Sequence, residues 1–334
     1  MGIEQRKALI EQIQTKRGNS RLICCLTSDR DNAQGQIAKD FLFRFFLHLR
    51  TTPNLEKLDV LMFTLGGDTL AAYALGRLVR QFAKKVSVLV PHLCFSGGTL
   101  FSLVADEIVM TRLANLGAID PSITGPLNPT TDVLLPGMVG VPGQKLPVPV
   151  AVESVAGFRK FVEEHWKLGA EGTTQAFALL AEKVHPLLLG DLQRSREQIV
   201  RLATNLMKLH AVKMKDDQIS TIVQTLAIGL GSHDYMIGRV EAHDEVGLNV
   251  IDEDLELEEL IWRLYQDFSA EMELGTPFDP MEGITIQPGQ PIRPVTKMSK
   301  MVIIESLERS DVWEREMLIL PPNQMQIRRN HWRR

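Results

Sequence analysis

The chain has 334 residues, 44% of them hydrophobic and 23% charged, with a formal net charge of -4; it is long enough for one large or two modest domains and has the make-up of a soluble globular protein. That charge gives no footing for nucleic acid or an anionic membrane, and Cys24, Cys25 and Cys94 are too few for a disulfide framework or a zinc site, so a reducing cytoplasm is the expected home. Met1 to Lys7 mixes acid with base and no apolar run follows it, so no secretory leader is expected.

Apolar spacing predicts a helix over Ile3–Lys16, within a lead segment of residues 1–20. Arg21–Thr27 reads as a strand, Ser28–Asn32 as a polar loop, and Ile37–Leu49 as a helix whose Phe41, Phe43, Phe45 and Phe46 form a core cluster. Leu58–Thr64 is a second buried strand with a helix reaching Phe82. Val86–Val90, rich in β-branched residues and ended by Pro91, is a third, with an uncharged helix reaching Ala105; Glu107–Met110 follows as a fourth. Strands that alternate with helices predict an α/β fold with a parallel sheet. The uncharged run Val86–Ala105 has the length of a membrane span, but Pro91, His92, Ser96, Gly97 and Gly98 at its centre make it strand, turn and helix.

Two turns carry the chemistry. Ser96 stands where a strand gives way to a helix N-terminus, and the free amides and dipole of a first helical turn favour the charge that forms when a hydroxyl attacks a carbonyl. Half of the hydrolase elbow G-x-S-x-G is present, with Cys94 where the first glycine belongs. Upstream, a strand runs into Leu65-Gly66-Gly67-Asp68. Adjacent parallel units would set these turns side by side, with Gly67 offering a backbone N–H that no side chain obstructs. Gly66-Gly67-Asp68-Thr69 lacks the lysine and spacing of a phosphate loop, and no cofactor or metal is expected.

The segments Leu65-Gly66-Gly67-Asp68, Phe95-Ser96-Gly97-Gly98-Thr99, Ala105-Asp106-Glu107-Ile108-Val109-Met110 and Leu116-Gly117-Ala118-Ile119-Asp120-Pro121 resemble the serine dehydrogenase proteinase family, a branch of the Clp protease/crotonase superfamily related to signal peptide peptidase A. The resemblance spans about Arg21 to Ile251 and implies a Clp protease/crotonase-like fold of repeated strand-turn-helix units. It also implies a serine peptidase domain over residues 21–254, a peptide substrate and a homo-oligomer. Ser96 becomes the nucleophile, and the N–H groups of Gly67 and Gly97 the oxyanion donors.

In the resemblance, Gly231 to Val250 matches the segment that returns the chain to the site, with His233 as the histidine of an H-D-Y motif and Asp234 as the triad aspartate. Ile119 occupies the place of the Clp histidine, with Asp120 beside it. Lys145 and Lys183 are the lysines that could replace a histidine, whereas Arg194, at a position where some relatives carry lysine, cannot act as a base. His233 is the first choice, oriented by Asp234 or Asp120. A noncatalytic scaffold that keeps the glycine turns is the alternative.

Thr111–Val150 is rich in proline and glycine and reads as an irregular segment, either a groove wall or a linker. Helices are expected over Glu153–Leu168, Thr173–His185, Leu187–His210 and Asp216–Leu226, with His165, His185 and His210 at the surface or satisfied in the core. Residues 255–334 form a C-terminal extension: a helix over Leu255–Gly275, a Pro/Gly linker from Thr276 to Pro294, a small hairpin-like β module (Met301–Ser306 and Met317–Leu320) and a basic tail.

Overall fold

A computed structural model describes residues 3–120, 122–123, 125–131, 146–148, 150–251, 254–279, 282, 294–320 and 324–333. The chain forms two compact units, one from Met1–Gly117, Leu206–Lys215 and Met236–Arg334, the other from Ala118–Asn205 and Asp216–Tyr235. Among the described residues, no helix is long and apolar enough to cross a membrane.

In the first unit the strands are β1 (Arg21–Thr27), β2 (Leu55–Phe63), β3 (Ala83–Val90), β4 (Leu93–Cys94), β5 (Glu107–Met110), β6 (Asn115–Gly117), β7 (Met236–Gly238), β8 (Val250–Ile251), β9 (Val295–Ser306), β10 (Arg309–Leu320) and β11 (Gln324–Arg333). Its helices are α1 (Ile3–Lys16), α2 (Phe41–Leu49), α3 (Thr69–Phe82), α4 (Gly97–Ser102), α5 (Arg239–Asp244) and α6 (Leu255–Met272). The main sheet runs β8-β5-β3-β2-β1-β9-β10-β11. It is parallel from β8 to β1 and antiparallel from β1 outward. The expected α/β fold with a parallel sheet is therefore present. Its inner strands are near-continuous apolar runs because both faces are covered.

One face is sealed by α1 and α6. Leu9, Ile10 and Ile13 join Leu257, Ile261, Leu264 and Phe268 over Leu22, Cys24, Leu26, Leu61 and Phe63, and each fully buried side chain of this size contributes about 1.5–3 kcal/mol. Arg6 of α1 is buried among carboxylates, bonded to Asp267 and Glu271 of α6 and 3.3 Å from Glu305 of β9, with its guanidinium 4.2 Å from the centre of the Phe268 ring. The lead helix is thus a fixed part of the core.

Two expectations are corrected here. The Phe cluster is split: α2 begins at Phe41, and Phe41 and Phe45, one turn apart, are buried while Phe43 and Phe46 are 58% and 40% exposed. The C-terminal strands are three, ten to twelve residues long, and β9 pairs with β1 so that they extend the main sheet. Their polar residues hide them from an apolar pattern. Glu305, Asp311 and Glu314 are buried because each has a cationic partner: Arg6, Arg309 and Arg333 respectively.

The second unit is mostly helical, with Val152–Lys160 continuing through a wide π turn at Phe161–His165, then Ala170–Lys183, the greater part of Pro186–Met207, and Asp216–Gln224. The proline-rich segment holds two short antiparallel pairings, Ser122–Ile123 with Val150–Ala151 and Thr130–Thr131 with Leu146–Pro147. Lys145 and the greater part of the Pro/Gly linker lie outside the described residues.

Candidate active site

Beyond β2 and β3 the chain stays paired. The Thr64 N–H donates to the Leu93 carbonyl at 3.0 Å and the Phe95 N–H to the Thr64 carbonyl at 2.9 Å, so the two turns leave the sheet together. The Gly66-Gly67 bend is then pinned from two sides. Its Gly66 N–H donates to Thr64 Oγ1 at 3.0 Å. On the other side Ile37 donates to the Gly66 carbonyl at 2.8 Å and accepts from the Asp68 N–H at 2.9 Å. Asp68 ends the bend by capping α3, accepting from Leu70 and Ala71.

Glycine is required by space as well as by conformation. Gly66 and Gly67 have φ of +116° and +145°. A Cβ on Gly67 would lie 2.4 Å from the Ile37 carbonyl oxygen, and one on Gly66 would lie 2.8 Å from Ser96 Cβ. A Cβ on Gly97 would meet Gly67 N at 3.2 Å, and one on Gly98 would meet Thr64 Cγ2 at 2.4 Å. The two bends touch through glycines, and larger residues would push them apart.

Ser96 sits in a strained backbone, φ +48° and ψ -110°, and its hydroxyl does not cap α4. The residue is half-buried. Among the described residues neither the Gly67 nor the Gly97 N–H donates to a main-chain carbonyl. Neighbouring groups are committed elsewhere: Thr99 Oγ1 donates to the Cys94 carbonyl at 2.8 Å and accepts from the Gly117 N–H at 3.0 Å. Burial pushes the Cys94 thiol up to about 12, which keeps it protonated and unreactive.

His92, which the sequence reading left without a role, lies just past β3, its Nδ1 3.2 Å from the Tyr265 hydroxyl. Burial lowers its pKa, so the ring is neutral near pH 7.

In the second unit, His233 Nδ1 is 2.9 Å from Asp120 Oδ1; the imidazole is 39% exposed and the carboxylate 3%. Asp120 is held beside Ile119, whose N–H donates to the Leu226 carbonyl at 3.0 Å. A buried carboxylate on Nδ1 fixes the tautomer with Nε2 as acceptor. Asp234, the first-named carboxylate, is exposed, with its N–H donating to Ser232 Oγ at 3.2 Å. The pairing therefore falls to Asp120, because consecutive residues of the 232–235 turn point in different directions. Lys183 is exposed at a helix end, and Arg194 is bound to Asp191 at 2.9 Å. Among the described residues no three His, Cys, Asp or Glu side chains converge to hold a metal.

Residues 3–134 match the model of a family described as ClpP-like SDH-type serine proteinase, so the resemblance drawn from the glycine turns holds over that segment. The chain is 30% identical over 202 residues to uncharacterized protein MJ0137 of Methanocaldococcus jannaschii, covering 60% of this chain and 56% of that protein. It is 37% identical over 75 residues to uncharacterized protein MJ1495 of the same organism, covering 22% and 26%. The chain thus spans about half the length of the first relative. Among solved structures it is similar to a mutant of the 1510-N membrane-bound stomatin-specific protease, with TM-score 0.39 and 14% identity over 71% of this chain and 82% of that one. It is also similar to ClpP1 from Listeria monocytogenes, with TM-score 0.35 and 13% identity over 74% and 96%.

Proposed function

From the match of residues 3–134 to the ClpP-like SDH-type serine proteinases, we propose that this chain is a serine peptidase that works by acyl transfer through Ser96. The observation that carries the reading is the contact of two glycine bends around a serine of strained backbone, where among the described residues neither the Gly67 nor the Gly97 N–H donates to a main-chain carbonyl. Ser96 attacks the peptide carbonyl, and the developing oxyanion is met by those two amides; removal of one such donor typically costs about 2.7–4 kcal/mol in the transition state.

The proton of Ser96 needs a base, and His233 is assigned that role on its chemistry: an accessible imidazole whose Nδ1 faces Asp120. Asp234 is left as a neighbour in the same turn. The substrate is a peptide or unfolded segment, and the reading includes a cytoplasmic homo-oligomer.

A fluorophosphonate probe tests the nucleophile. The native protein is expected to label covalently and Ser96→Ala is not; a folded native protein that fails to label would turn the reading into the scaffold alternative. His233→Ala is expected to lower kcat by about 10²- to 10⁴-fold with circular dichroism unchanged. Hydrolysis at the native rate would move the base to Lys145 or Lys183.

A further inference from the structure

The first unit holds a cleft of about 480 Å³ that the peptidase reading does not use, a size within the ~300–1,000 Å³ of small-ligand sites. One wall is the loop between β1 and α2, with the neutral amides of Gln34 and Gln36. The other is the face of β9, β10 and β11, with Trp313, Arg315 and Trp332.

The groups around it are unequally engaged. Trp332 is fixed: its indole N–H donates to Asp40 Oδ2 at 2.7 Å, Arg44 lies 4.9 Å over its ring and Trp313 meets it edge-on at 5.5 Å. Asp40 and Arg44 are thereby occupied, and Arg44 also reaches Asp311 at 3.4 Å. Arg315 has no carboxylate within ion-pair distance among the described residues; its Nε makes one long bond, 3.4 Å, to Asn330 Oδ1. The strand brings this guanidinium to the same face as Trp313, two residues away.

We propose that this cleft binds the C-terminal residue of a peptide, with the terminal carboxylate on Arg315 and an apolar last side chain against Trp313 and Trp332. A planar guanidinium matches a carboxylate with two parallel hydrogen bonds. The Gln34 and Gln36 side chains offer the donors and acceptors that a peptide main chain needs. The same loop holds the Gly66-Gly67 bend through Ile37, so a peptide end bound here is held on the unit that carries Ser96. The proposal itself does not depend on hydrolysis.

The test uses the full chain carrying Ser96→Ala and a peptide Gly-Gly-Ala-Leu-Leu with an N-terminal fluorescein, prepared as the free acid and as the C-terminal amide. Fluorescence anisotropy is expected to report saturable binding of the acid and about tenfold or more weaker binding of the amide, the scale of a hydrogen bond to a charged group. Arg315→Gln is expected to erase that preference and Arg315→Lys, which keeps the charge, to retain it. Equal affinity for acid and amide, a preference that survives Arg315→Gln, or no saturable binding of the acid by the folded protein would each overturn the assignment.

Discussion

Gly66 is one of the positions of the first unit that a side chain would disturb. At φ +116° an L side chain is strained, which costs of order 1–3 kcal/mol, and its Cβ would also press on Ser96 Cβ at 2.8 Å. Gly66→Ala is therefore expected to lower the urea midpoint and to abolish fluorophosphonate labelling together. Gly18→Ala is the control: its φ is also positive, +73°, but a Cβ there meets nothing within 4 Å. That variant is expected to lose at most about 1 kcal/mol, the low end of backbone strain, and to label normally. Normal labelling by Gly66→Ala would mean that the close approach of the two bends does not matter to the serine. The glycine pairs were legible in the sequence because two strand-Gly-Gly-helix units stand close together and the second runs on through Ser96-Gly97-Gly98-Thr99 into Ala105-Asp106-Glu107-Ile108-Val109-Met110, a combination that neither pair alone supplies. The choice of Asp120 over Asp234 was not, since adjacent positions in a turn differ in direction, not in spacing.

At the scale of elements, the N-terminal ends of the parallel strands are tied by charge. Arg17, just past α1, bonds to Glu107 of β5 and reaches Asp59 of β2 at 3.2 Å. Lys57 and Lys85 each lie 3.0 Å from Glu107, and the Ser87 hydroxyl donates to it at 2.9 Å. Burial by itself would raise the Glu107 pKa, but Lys57, Lys85 and Arg17 outweigh it and bring the carboxyl from its ordinary 4.5 down to about 2. A folded pKa below the unfolded one stabilises above the unfolded value and is lost as pH falls through the folded one. Urea unfolding is expected to show stability declining from about pH 4.5 to pH 2, with at most about 3 kcal/mol from this group. Glu107→Gln is expected to be less stable than the native protein at pH 7, the gap closing toward pH 2. A gap independent of pH would assign the loss to packing instead. The motif Ala105-Asp106-Glu107-Ile108 marked this strand, yet nothing in the sequence told that Glu107 faces a ring of cations.

For the whole molecule, the largest departure from the sequence reading is the C-terminal sheet. Residues beyond 294 pair with β1 through Cys24–Thr27 against Val302–Glu305, and Ile303 and Val312 belong to the same core as α1 and α6. Removing everything after residue 294 exposes a long apolar sheet edge and leaves Arg6 without Glu305. The truncated chain is expected to be insoluble or to lose its near-ultraviolet circular dichroism; a folded, soluble truncation would restore the picture of an appended module. The sequence by itself determined the alternation of strand and helix, the two glycine turns and the serine at the second of them, because strands buried on both faces are continuous apolar runs and backbone approaches that exclude a Cβ call for glycine. Only the tertiary structure decided which carboxylate meets His233, how the last three strands join the sheet, and which polar side chains go inside. Those outcomes depend on partners far apart in the chain, such as Arg6 with Glu305 and Asp120 with His233, whose polar groups find each other only once the fold has brought them together.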